Sequence, residues 1–296
     1  MRASCKRRPG DLAANLLIAV VLGLFAIFCL YPILYVLFAS FSDPRLLNQH
    51  TGLLFYPLDF TVEGYTVAAS YAGVWTGYLN TILVVTAGTA LNIFMTILGA
   101  YVLSRRDLYL HRAANLLVIF TMFFNGGLVP TYLTVKNLGL IDNRLALILP
   151  VAISTWNLII LRTSIEALPQ SLIESARIDG ANDVVILFRI VLPLVKATIA
   201  VLVLYYAVGH WNSWVNAMLY IKDRSKYPLQ LILREILIEN TSNAATQSVG
   251  NLSELDQYKQ LVKYCTTMIA TAPILFIYPF LQKYFVKGVM IGAVKG

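Results

Sequence analysis

Three features of the sequence predict an all-α membrane protein with six transmembrane helices. Of its 296 residues, 58% are hydrophobic and 13% charged, where an ordinary soluble domain is about a quarter charged. Mean hydropathy is +0.70. The apolar residues gather into six stretches free of charge, none shorter than the roughly 17 residues that a crossing needs. The third feature is an asymmetry of Lys and Arg between alternate connections, the signature of a chain oriented across a bilayer.

Taken in order, residues 1–11 form a basic tail with Arg2, Lys6, Arg7 and Arg8, and the first span runs over 12–41. Its apolar run far exceeds the roughly 7–15 residues of a signal peptide and meets no A-x-A site, so it reads as a retained span. The next charge-free stretch is twice the needed length. Its first half is aromatic and polar (Tyr65, Tyr71, Trp75, Tyr78, Asn80), which suits the membrane interface and starts the second span at 78–104. The remaining spans fall at 113–135, 145–161, 197–219 and 264–282. Residues 12–285 thus form one transmembrane domain, followed by a tail at 286–296.

Six spans place both termini on one side. The connections on that side carry 14 of the 23 Lys and Arg and six of the 15 Asp and Glu, so the whole net charge of +8 lies there. Both termini are therefore expected in the cytoplasm, and topology rather than nucleic acid accounts for the basic balance. The spans contain no Asp or Glu, which argues against an ion-coupled carrier. No His/Asp/Glu or Cys/His constellation supports a membrane-embedded enzyme. Those two classes are the alternatives to the transport role developed below. Cys5, Cys29 and Cys265 have neither disulfide nor metal-ligand spacing, so no metal site and no catalytic residue is expected.

The loop at 162–196 is too long to lack structure of its own. Pro169 can open a helix that Gly180 ends, and Asn182 or Asp183 can cap a second helix running toward Pro193. Leu172, Ile173 and Ala176 share a face of the first helix, and Val184, Leu187, Phe188 and Val191 a face of the second. On the opposite side, the loop at 222–263 holds a possible amphipathic helix at 229–238 and a polar stretch at 240–251.

Glu174-Ser175-Ala176, Gly180 and Ile190-x-Leu192-Pro193 resemble the EAA loop of the membrane subunits of bacterial ATP-binding cassette (ABC) importers, with serine where the family usually has alanine. Asn80-Thr81, Ala100 to Arg105, Trp211-Asn212, Tyr227 to Gln230 and the terminal Gly292 to Gly296 resemble carbohydrate-importer permeases of the maltose-transporter type. Asn125 to Tyr132 and Phe285 to Gly288 are similar to a branch that includes the permeases of the alginate importer.

The resemblance implies a type I importer permease fold and a subunit that does not hydrolyse ATP. In agreement, no Gly-Lys pair exists from which to build a phosphate loop. It further implies two partner ATPase subunits that bind Mg-ATP, a second, non-identical permease and an extracellular solute-binding protein that delivers an oligosaccharide. Glu174, Ser175, Ala176, Arg177, Asp179, Gly180, Ala181, Ile190, Leu192 and Pro193 would couple to the ATPases, and Gly292, Val294, Lys295 and Gly296 would reach them from the tail. Asn92, Asn125, Tyr132, Trp156, Asn157, Trp211 and Asn212 are the candidates for the sugar path, with His210 and Trp214 near its outer end.

Overall fold

The computed structural model describes residues 9–105, 107, 109–238, 260–277 and 279. Its helices are α1 (Pro9–Ser40), α2 (Pro44–Gln49), α3 (Glu63–Ser70), α4 (Ala72–Ser104), α5 (His111–Phe123), α6 (Leu128–Asn137), α7 (Thr155–Glu166) and α8 (Gln170–Ile178). Helices α9 (Asp183–Leu194), α10 (Lys196–Trp211), α11 (Val215–Tyr220), α12 (Leu229–Ile238) and α13 (Gln260–Ile277) follow. Among the described residues there is no sheet, only an isolated antiparallel bridge between Ser42 and Phe60. Among the described residues, three helices are long and apolar enough to cross a membrane, or up to six if each of three bent pairs counts as one crossing.

The chain divides into two compact units, Met1–Tyr71 with Glu239–Ala270, and Ala72–Ile238 with Thr271–Gly296. In the first, Ala39, Leu47, Leu54, Ala68, Leu261 and Cys265 form a small core. The Tyr65 hydroxyl lies 2.7 Å from Ser40 Oγ, and Asp43 caps α2 by accepting from the amides of Arg45 and Leu46.

In the second unit, α4 lies against α7, α10 and α12. Gly88 of α4 permits the close approach of α10, because a Cβ there would sit 2.5 Å from His210 Nε2. At one end of α4, Asn80 Nδ2 donates to the carbonyls of Ser225 and Tyr227, its Oδ1 accepts from Arg144, and Thr81 Oγ1 accepts from the Leu229 amide. Two segments singled out in the sequence, Asn80-Thr81 and Tyr227 to Gln230, thus meet across some 145 residues. Beside them, the Asp142 carboxylate accepts from the Lys222 and Asp223 amides and from Lys226 Nζ. Lys226 above all holds its pKa down at about 2.

The helices depart from the expected spans in four places. α4 begins at Ala72 rather than at residue 78, taking Trp75 into the helix. The stretch 113–135 is not one rod. It turns by 111° between α5 and α6, where Asn125 Oδ1 accepts from the Gly127 amide and Gly127 adopts φ +88°, a value that glycine tolerates best. The stretch 145–161 consists of two tight turns, Arg144–Leu147 and Leu149–Val151, a break, and α7, with a 49° bend. Pro150, which lacks an amide proton, lies at the start of that interruption. The stretch 197–219 stops at Trp211 and resumes as α11. Residues 240–251 of the outer loop, the end of the sixth expected span and the tail at 286–296 lie outside the described residues.

Candidate functional site

The loop between α7 and α10 forms a helical elbow. Pro169 precedes α8, and Asp179 is its C-cap. Gly180 follows at φ +81°. The Ala181 amide donates to the Ala176 carbonyl at 2.9 Å and the Gly180 amide to that of Arg177 at 3.0 Å. This pairing is a Schellman closure, which satisfies carbonyls that the helix end would otherwise leave bare. Asn182 then caps α9 by accepting from the Val185 amide. α9 widens over Ile186–Val191 into a π-helical stretch, and at Val195 the chain turns by 83° into α10.

The elbow buries only part of the face assigned to it. Ala176, Ile186, Leu187 and Val191 are buried in the unit's core, with Ile173, Ala181, Ile190 and Leu192 against it. Leu172, Val184 and Phe188 are instead exposed, as is Ile178 at 86%. Glu174, Ser175 and Pro193 are exposed as well. Arg177 is committed within the chain, 3.6 Å from Asp107 and 3.7 Å from Asp183. Arg105, just beyond α4, pairs with the same two carboxylates, and the Tyr101 hydroxyl donates to Asp183 at 3.4 Å. The hydrogen bonds from Arg105 hold Asp107 down at about 2 and lower Asp183, while the two carboxylates raise Arg105. This cluster joins the end of α4 to both halves of the elbow. Arg105, Asp107 and Asp183 were not among the expected coupling residues, because ion pairing between distant segments leaves no spacing in a sequence.

The second site is a cavity of about 440 Å³ bordered by α4, α7, α10 and the turn into α11. Of the residues named for the sugar path, Asn92, Asn157 and Asn212 line it, together with His210 and Trp214. Ser154, Tyr205, Tyr206, Ser213 and Asn216 were not anticipated. None of its lining residues is Asp, Glu, Lys or Arg, so amides, hydroxyls and rings supply its chemistry. A signal for Tyr206 did exist: Tyr206 and His210 are one turn apart on α10, as Thr96 and Asn92 are on α4, and polar pairs at that spacing in apolar helices need partners.

The other path candidates lie elsewhere. Asn125 makes the turn before α6, and Tyr132 stacks on Tyr220 at 6.1 Å. Trp156 is exposed, and Trp211 is buried with its ring against Tyr78. Gly292, Val294, Lys295 and Gly296 fall outside the described residues.

No protein-family model matches the chain. It is 41% identical over 286 residues to the polygalacturonan/rhamnogalacturonan transport system permease protein YtcP of Bacillus subtilis (strain 168), covering 95% of this chain and 98% of that protein. To Protein LplC of the same organism it is 42% identical over 265 residues, covering 90% and 89%. Among solved structures it resembles, with a TM-score of 0.84 and 30% identity over 94% of this chain and 99% of the other, a chain of a bacterial ABC transporter involved in the import of the acidic polysaccharide alginate. An uncharged polar cavity among apolar helices, an ordered elbow beyond them and relatives matched over nearly their whole length agree: the chain belongs to the permease subunits of ATP-binding cassette carbohydrate importers.

Proposed function

We propose that this subunit forms one half of a transmembrane path that carries an acidic oligosaccharide, of the galacturonan or rhamnogalacturonan type, into the cell by alternating access. The cavity carries the reading. Its amide, hydroxyl and indole lining suits a polyol that must bind weakly enough to leave. The cargo class is taken from relatives named for polygalacturonan/rhamnogalacturonan and for alginate, both acidic polymers.

In this reading the three unbent and three bent elements make six spans of a cytoplasmic membrane protein with both termini inside. The second permease is a different chain, and a solute-binding protein delivers the sugar from outside. The elbow docks into an ATPase subunit through Glu174 and the exposed apolar residues Leu172, Ile178, Val184 and Phe188, which would otherwise face water. Gly180 sets the angle between the two docked helices, and the tail at 286–296 reaches the ATPase pair. Closure of the two ATPases on Mg-ATP moves the elbows together, and the spans rock from inward-open to outward-open.

The test is uptake by proteoliposomes containing the two permeases and two ATPases. The expected result is import of oligogalacturonides that requires both ATP and the binding protein. Uptake by this chain alone, driven by a proton or sodium gradient, would overturn the reading.

A further inference from the structure

We propose that the interrupted backbone between Val151 and Thr155 is a saccharide-binding element, whose carbonyl and amide are held by side chains that sugar hydroxyls replace during passage. This deepens the transport reading above and rests on it. Backbone groups that a helix does not use have no water to turn to in lipid, so a break is tolerated only against protein or a cavity. This break has both. The Val151 carbonyl accepts from Asn92 Nδ2 at 2.5 Å, and the Ser154 amide donates to the Tyr206 hydroxyl oxygen at 3.1 Å. Each holder is backed in turn. Asn92 Oδ1 lies 2.8 Å from His210 Nε2, and the Tyr206 hydroxyl lies 2.7 Å from Thr96 Oγ1.

The result is two rungs, one helical turn apart: one runs from His210 of α10 to Asn92 of α4 and on to Val151, the other from Thr96 of α4 to Tyr206 of α10 and on to Ser154. The polarity of the first rung follows from its end. A carbonyl can only accept, so the Asn92 nitrogen faces Val151, its oxygen faces His210, and Nε2 carries the proton. Asn92 and Thr96 are fully buried, and Tyr206 and His210 are nearly so.

A cap that served folding alone would have no reason to border the cavity, yet Asn92, Val151, Ser154, Tyr206 and His210 all line it. The adjoining helix end has a cap of its own, since Ser154 Oγ accepts from the Asn157 amide. The groups that hold the break are one amide donor and one hydroxyl acceptor, functions that any sugar hydroxyl combines. Replacing one neutral hydrogen bond by another is nearly balanced in free energy, so a passing sugar can take these positions and later return them.

The test uses the complete importer in nanodiscs, with Cys5, Cys29 and Cys265 replaced by serine and an Ala152→Cys reporter in the break. Both arms are trapped with ATP and vanadate, one with unliganded binding protein and one with binding protein carrying oligogalacturonides, so that only the sugar differs. Maleimide labelling of the reporter should be about fivefold faster with sugar, because the Ser154 amide then exchanges a side chain fixed in α10 for a mobile sugar hydroxyl, and the tether lost is worth about one neutral hydrogen bond. Tyr206→Phe, which removes the hydroxyl and keeps the ring, should label at the sugar-bound rate in both arms. If that variant does not assemble, Thr96→Val, which removes only the group behind Tyr206, should raise the rate without sugar. Equal rates in both arms of a complex that imports oligogalacturonides would overturn this element and leave the transport reading intact. A wild-type response in Tyr206→Phe would overturn the exchange. A complex that imports no saccharide would remove the transport reading and this element with it.

Discussion

Gly88→Ala tests the contact on which the second unit is built. A Cβ at position 88 would meet the His210 ring at 2.5 Å from Nε2, 2.8 Å from Cε1 and 3.0 Å from Cδ2. Non-bonded heavy atoms prefer about 3.5 Å or more, so the ring must retreat by about 1 Å. The ring belongs to a buried side chain whose Nε2 is bound to Asn92 Oδ1 at 2.8 Å. Overpacking of this kind costs about 1–3 kcal/mol. Loss of the hydrogen bond adds about 0.5–1.5 kcal/mol, for a total of about 1.5–4.5 kcal/mol. The assay is thermal unfolding of the purified complex, in which Gly88→Ala should melt at least about 3 °C below wild type. Gly209→Ala is the control. Its Cβ would meet nothing within 4 Å, although it adjoins His210 on the same helix, so its melting temperature should be unchanged or higher. The double variant Gly88→Ala/His210→Ala should be no less stable than His210→Ala alone. A Gly88→Ala complex with wild-type melting, or a double variant whose losses simply add, would refute the close approach.

Three further outcomes are expected. Gly180→Val forces a β-branched side chain to φ +81°, a left-handed conformation that costs about 1–2 kcal/mol; the complex should assemble but hydrolyse ATP without matching import, and full coupling in proteoliposomes would count against the elbow. Asn80→Ala strips partners from Arg144 and from the Ser225 and Tyr227 carbonyls, at about 0.5–1.5 kcal/mol for each hydrogen bond lost; hydrogen exchange should quicken at 224–230. Asp107 and Asp183 have folded pKa values below the ordinary carboxylate value of 3.8, so the stability gained from Arg105 is present above that value and lost as pH falls toward about 2. The melting difference between wild type and Arg105→Gln should therefore be larger at pH 5 than at pH 3, and a difference that grew on acidification would exclude the ion cluster as its source.

Some of this molecule is local and was legible residue by residue. Pro169, Gly180 and Asn182 mark the elbow because a proline without an amide proton, a glycine at positive φ and a side-chain cap act within a few residues of themselves. The amphipathic run of α12 was equally plain. The bends were less so. Asn125-Gly126-Gly127 lies at one bend and Pro150 beside another, yet hydropathy reads across both, since a bent pair is as apolar as a straight helix.

The sequence by itself determined the class, an apolar helical chain whose spans hold no carboxylate, together with the elbow and the family. Composition and short-range backbone preference suffice for that. Only the tertiary structure decided which polar residues share a space. Of seven path candidates, Asn92, Asn157 and Asn212 line the cavity, while Asn125, Tyr132, Trp156 and Trp211 spend their side chains on a turn, a stack or an outer face. Asn92 meets His210 and Val151 only because α4, α10 and the break converge, and Arg177 pairs with Asp107 only because the segment beyond α4 arrives beside α8. Such meetings join residues 59 to 118 positions apart in the chain. They follow from how helices cross rather than from any periodicity along the chain.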